Sequence, residues 1–139
     1  MLYLKSYNDI YDGELILDNL IQKIVEQSTM VRLSNNDLHY LYQASVVYSK
    51  VFYSNTSPGL GRMESLYQEI LKAHIDNLEQ YNRVILLFLH SRRSPLMMNE
   101  LGAVADIMNC FSIDTEIKWG LGIDDSLGVR LALYVICSK

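Results

Sequence analysis

Residues 117–128 read IKWGLGIDDSLG, and residues 129–137 continue as VRLALYVIC. Two strands are predicted here, 115–123 and 129–137. Asp124-Asp125-Ser126-Leu127-Gly128 lies between them and has the composition of a hairpin turn, so the pair is expected to be antiparallel neighbours. Cys137 sits in the second, apolar strand.

Upstream, Ser91-Arg92-Arg93-Ser94-Pro95 leads into an amphipathic segment. Ser94 suits an N-cap and Pro95 the first helical position, so a helix is expected to start there. Its buried stripe is expected to be Met97, Leu101, Val104, Ala105, Met108 and Phe111. Before it, VILLFL at 84–89 is a continuous apolar run bounded by polar residues, hence a buried strand. A helix is predicted over about 62–78, with Leu66, Ile70, Ala73 and Leu78 on its inner face. NTSPGLG at 55–61 is a turn cluster. VVYSKVFY at 46–53 is rich in β-branched and aromatic residues and is predicted as a strand.

The first part of the chain is helical. In ELILDNLIQKIVEQ, residues 14–27, Leu17, Leu20, Ile21, Ile24 and Val25 recur at helical spacing. Ser34-Asn35-Asn36-Asp37 is cap chemistry, followed by a short helix to about Gln43. Residues 1–13 are expected to be an extended lead-in. From residue 44 the order is β-α-β-α-β-β. The fold class expected is therefore α/β (α+β): one four-stranded mixed sheet packed against two to three helices, in a single domain over 1–139.

Composition narrows the function classes. The chain has 139 residues, half of them hydrophobic, and a formal net charge of −4. Scattered charge of that sign argues against nucleic acid as a partner, because affinity for phosphate backbones needs clustered Lys and Arg. The N-terminus lacks the basic start and apolar run of a signal peptide, and no apolar run is long enough to span a bilayer, so no membrane role is expected. Cys110 and Cys137 form no CxxC pair and read as buried free thiols, which fits a reducing cytoplasm. His39, His74 and His90 have no metal-ligand spacing, and no metal or cofactor is expected.

The last 55 or so residues resemble the C-terminal domain of FtsZ, the tubulin homologue of cell division. Ile117 to Gly128 is similar to the family pattern W/F-G-x-x-I-D-x-x-L, and Arg130-Leu131-Ala132-Leu133-Tyr134-Val135-Ile136-Cys137 to the strand that follows it. The segment from Asn99 to Phe111 looks like the last helix of that domain, and 84–89 sits where the family has an apolar strand. Upstream the likeness is looser. Asp18-Asn19-Leu20-Ile21-Gln22 is similar to the start of the family's central helix, placing a central-type helix at about 14–28 and the sheet and helices at about 44–138. Asn36-Asp37-Leu38 falls where the family has its synergy loop, whose carboxylates reach the neighbouring subunit's GTP and orient the attacking water.

Two departures shape the functional expectation. The chain begins almost at the central helix, and nothing like the GGGTGTG phosphate loop is present. Gly59 and Gly61 alone do not make a phosphate cradle. In the loop, if Asp37 matches the second acid, Ser34 stands for the first and Arg32 for the Asn. Asp37 is equally a helix-capping residue. No catalytic residue, acid/base pair or triad is recognised, and the chain is expected not to be an enzyme. Arg32, Ser34, Asn36 and Asp37 are the candidate interaction residues. Arg92 and Arg93, at the entrance to a helix, are weaker candidates for holding an anion. The function implied by the resemblance is a non-enzymatic domain that contacts an FtsZ-type partner or itself, as a homo-oligomer, and that could cap or modulate FtsZ-type filaments. The alternative is a homo-oligomeric or small-ligand scaffold unrelated to cell division. An apolar side of the central helix, left uncovered, is expected to drive self-association in that case.

Overall fold

A computed structural model describes residues 13–54, 61–72 and 81–139. The expectations for 1–12, 55–60 and 73–80, including Ala73, His74, Leu78 and Gly59, lie outside the described residues. The elements, in order, are α1 (Gly13–Gln27), α2 (Asn35–Leu38), a 3-10 turn (His39–Gln43), β1 (Val47–Tyr53), α3 (Arg62–Lys72), β2 (Arg83–His90), α4 (Met98–Leu101), α5 (Val104–Met108), β3 (Glu116–Ile123), a 3-10 turn (Asp125–Leu127) and β4 (Ala132–Ser138).

The strands form one sheet in the order β1-β4-β2-β3. β2 and β3 are parallel, with Leu86 beside Trp119. β4 is antiparallel to both β1 and β2, with Val135 between Lys50 and Leu86. The expected hairpin between the last two strands does not form. Hydrophobic burial explains why. All seven residues of β4 are buried, so it takes an interior slot with neighbours on both sides. β3 exposes Glu116 and Lys118 and takes the edge next to β2. The turn at 124–128 therefore carries the chain over β2. Asp124 caps it, its carboxylate accepting from the Ser126 N–H at 3.0 Å, and Gly128 reverses it at a φ of 64°.

Period-2 alternation along β2 divides the core into two layers. Val84, Leu86 and Phe88 point to one side, where Leu66 and Ile70 of α3 and Val104 and Ile107 of α5 cover them. Ile85, Leu87 and Leu89 point to the other, where Leu17, Ile21 and Ile24 of α1 pack with Leu33, Leu38 and Leu41. Helices thus cover both faces of a sheet whose central strands are apolar over 84–89 and 132–137. Cys137 is buried in the first layer, and burial pushes its thiol up to about 12. Cys110 is also a free thiol.

The helix before β3 departs from its expected form. It starts at Met98 and breaks at Gly102-Ala103 into two short pieces. Ser94 and Pro95 are engaged elsewhere. Nη1 of Arg62 donates to the Ser94 carbonyl and hydroxyl oxygens, each at 2.9 Å, and Nη2 donates to the Pro95 carbonyl at 2.9 Å. The same guanidinium grips both carboxylate oxygens of Glu100, at 3.0 and 2.7 Å, and Nη1 also donates to the Val129 carbonyl at 3.1 Å. One Arg at the start of α3 therefore holds the loop after β2 in non-helical form. Of the expected stripe, Val104 and Phe111 are buried and Leu101 and Met108 partly so. Met97 and Ala105 are exposed, and Ile107 takes an inner place.

α1 also differs from expectation on its outer side. Between Leu17 and Gln27 the exposed residues are Asp18, Asn19, Gln22, Lys23 and Glu26. That side is polar at these positions; the side chains of Leu15 and Ile16, part of the apolar surface expected to drive self-association, lie outside the described residues.

Candidate functional site

The segment from Ser28 to Asp37 joins α1 to α2 and lies along the outer edge of β3. It is fastened at several points. The Ser28 hydroxyl, buried, accepts from the Leu33 N–H at 2.9 Å and lies 3.2 Å from the carbonyls of Val25 and Leu33. The N–H groups of Met30 and Val31 donate to the Leu121 carbonyl at 2.8 and 3.0 Å, and the Leu121 N–H donates back to Val31 at 3.0 Å. This two-way bridge occupies an edge that would otherwise be left open.

Such close approach requires glycine on β3. A Cβ placed on Gly122 would sit 1.5 Å from the carbonyl oxygen of Gln27, and one on Gly120 would sit 2.8 Å from the Leu33 side chain and 2.9 Å from the Val31 carbonyl. The two glycines flanking Leu121 are thus the reason the end of α1 and the following loop can lie flat on the strand.

The loop ends in a capping box. Ser34 is the N-cap of α2, and its hydroxyl accepts from the Asp37 N–H. Asp37 Oδ2 accepts in return from the Ser34 N–H at 2.8 Å and hydroxyl at 3.0 Å. The other carboxylate oxygen accepts from Lys118 Nζ at 2.8 Å. Lys118 first, and the Ser34 bonds after it, hold the Asp37 carboxyl down at about 2. Asp37 is therefore ionised with both oxygens committed within the chain.

The four candidate interaction residues are brought together on this one loop. Arg32, Ser34 and Asn36 are exposed, and Asp37 is half-buried. Asn36 and Asp37 also line a recess of about 100 Å³ with Tyr40, Arg83, Glu116 and Lys118. Within it Arg83 lies 3.5 Å from Glu116 and 4.6 Å from the centre of the Tyr40 ring. Burial pushes the Tyr40 phenol up to about 12, so neither it nor Asp37 exchanges a proton near neutral pH. Among the described residues no group of three or more His, Cys, Asp or Glu is placed to hold a metal ion, and no helix is long and apolar enough to cross a membrane.

Arg92 and Arg93 are elsewhere, exposed in the turn after β2. The Arg92 N–H donates to Asp125 Oδ1 at 2.9 Å, and its guanidinium lies 3.6 Å from Asp125 Oδ2. The nearest helix begins five residues later with Glu100 in its first turn, so the two arginines do not meet a helix N-terminus. Residues missed from sequence are Met30 and Val31, which are exposed beside Arg32, and Lys118, which turns Asp37 inward. The signal for the loop's placement was the pair of glycines in WGLG.

An FtsZ dimer from M. jannaschii superposes over 91% of this chain with a TM-score of 0.68 at 11% identity. The fold is that of the FtsZ C-terminal domain. An FtsZ W319Y mutant from M. jannaschii gives the same TM-score at 10% identity, over 91% of the chain. TubZ from Bacillus thuringiensis serovar israelensis, in a GTPγS-form protofilament, matches 91% of the chain with a TM-score of 0.60 at 13% identity. The likeness is partial: the chain spans 37%, 39% and 33% of these three structures, respectively. No protein-family model matches the sequence, and no curated protein does.

Proposed function

We propose that this chain is a non-enzymatic interaction domain that docks through its 28–37 loop on an FtsZ-type filament protein and caps or modulates the filament. The solved structures it resembles include an FtsZ dimer and TubZ protofilaments in GTPγS and GDP forms, which supports a partner of that kind. One observation carries the reading: both oxygens of Asp37 are bound inside the chain, by Ser34 and Lys118. A carboxylate so committed does not orient water in a neighbouring site, while the fastened loop presents a preformed contact surface. The chain would then occupy the face of a terminal subunit without completing its hydrolytic site. Its place of action is the cytoplasm, in the process the partner serves.

The test is assembly of the FtsZ-type protein from the same organism with substoichiometric amounts of this chain. Shortened filaments and reduced GTP turnover are expected, without hydrolysis by the chain alone. Unchanged filament length and turnover at equimolar chain would reject the proposal.

A further inference from the structure

We infer that the surface taken by this loop is an acidic, carboxylate-bearing protein surface, and that Arg32 is its anchor. The inference rests on the docking reading above and adds the sign and chemistry of the partner's contact patch.

Residues 28–36 read STMVRLSNN, so Arg32 is the one ionisable side chain they contain. The acid that closes the loop, Asp37, faces Lys118, and the next acid along the recess, Glu116, lies 3.5 Å from Arg83. Both of these carboxylates thus have a cation of their own, and no described residue pairs with Arg32. Arg32 gives residues 28–36 a single positive charge, on a chain whose formal charge is −4. Beside Arg32, Met30 is 55% and Val31 36% exposed. Their backbones are held to Leu121, so the guanidinium is presented from a backbone that needs no further ordering on binding.

An arginine flanked by exposed apolar side chains has the make-up of an interface anchor. The guanidinium fork pairs with a carboxylate through two parallel hydrogen bonds. The same loop of a second copy does not supply this carboxylate, because its one acid, Asp37, is held by Lys118 and Ser34.

The experiment titrates the FtsZ-type protein of the same organism, nucleotide-loaded and nucleotide-free, with wild-type chain, Arg32→Lys and Arg32→Glu over a range of NaCl. Urea midpoints first confirm that the variants fold as wild type does. Wild-type binding is expected to weaken with salt. Arg32→Glu should bind roughly tenfold or more weakly and lose that salt dependence, while Arg32→Lys keeps the salt dependence but binds more weakly than wild type, since an ammonium cannot copy the fork. The same pattern is expected with and without nucleotide. Equal binding by Arg32→Glu overturns the inference and leaves the docking proposal standing. An Arg32 effect seen only with nucleotide present overturns it too, because the anion would then be a phosphate. No complex with wild-type chain removes the docking proposal and this inference together.

Discussion

Lys118 on β3 donates to Asp37 at 2.8 Å across 81 positions of sequence, and that bond decides which way the loop's acid faces. Lys118 reaches it because the loop lies flat against β3 at Gly120 and Gly122. Without that approach, Asp37 would be a capping residue at most.

The close approach predicts an asymmetry among glycines. Gly122→Ala places a methyl group 1.5 Å from the Gln27 carbonyl oxygen, whereas Gly102→Ala meets nothing nearer than 3.9 Å. Gly122→Ala is expected to cost about 3 kcal/mol or to prevent folding, and Gly102→Ala to change stability by less than about 1 kcal/mol. Urea unfolding of both variants measures this.

Asp37 predicts an acid-range signature. Its carboxyl falls from an ordinary 3.8 to about 2 in the folded chain. A depressed carboxyl contributes stability that is fully present well above 3.8 and is lost as pH falls through about 2. Asp37→Asn is expected to lower stability at pH 7 by about 1 kcal/mol, because it removes the charge that Lys118 and the Ser34 N–H bind. Its loss of stability between pH 5 and 2 should be shallower than that of wild type. Thermal melts of the two proteins across that range provide the comparison.

Arg62 is predicted to be the largest single polar contributor to the fold. Its guanidinium and the Glu100 carboxylate are mostly buried, at 14% and 16% side-chain exposure. Arg62→Ala leaves Glu100 without its cation and frees the carbonyls of Ser94, Pro95 and Val129, a loss of about 3–5 kcal/mol. Arg62→Lys should recover little, since an ammonium cannot copy the fork. Denaturation midpoints of the two variants, read beside Glu100→Gln, test the assignment.

Sheet order is predicted to show in hydrogen exchange. β4 is paired on both sides, so its amides should exchange only with global unfolding, and more slowly than those of β3, whose outer edge is bridged by the loop alone. Equal protection of the two strands would contradict the order described.

Much of the fold was legible because burial writes itself into sequence. VILLFL in β2 and the helical spacing of Leu17, Ile21 and Ile24 gave a strand and a helix where the structure has them. The hairpin was misjudged because turn composition at 124–128 outweighed a second signal. LALYVIC is apolar at every position and marks an interior strand, while EIKWGLGI exposes charge and marks an edge. Ser94-Pro95 misplaced a helix start because the competing claim on Ser94 comes from Arg62, 32 residues away. The loop residues were legible as a set through capping chemistry. The direction of Asp37 was not, because Lys118 meets it only once the sheet is folded.

The most direct measurement of the central claim is light-scattering mass of the purified 16.0 kDa chain, alone and then with the FtsZ-type protein of the same organism. A monomer that shifts to a stable complex, with the shift abolished in Arg32→Glu, is the result predicted. A mass unchanged by that protein, or a dimer that ignores it, would contradict the account.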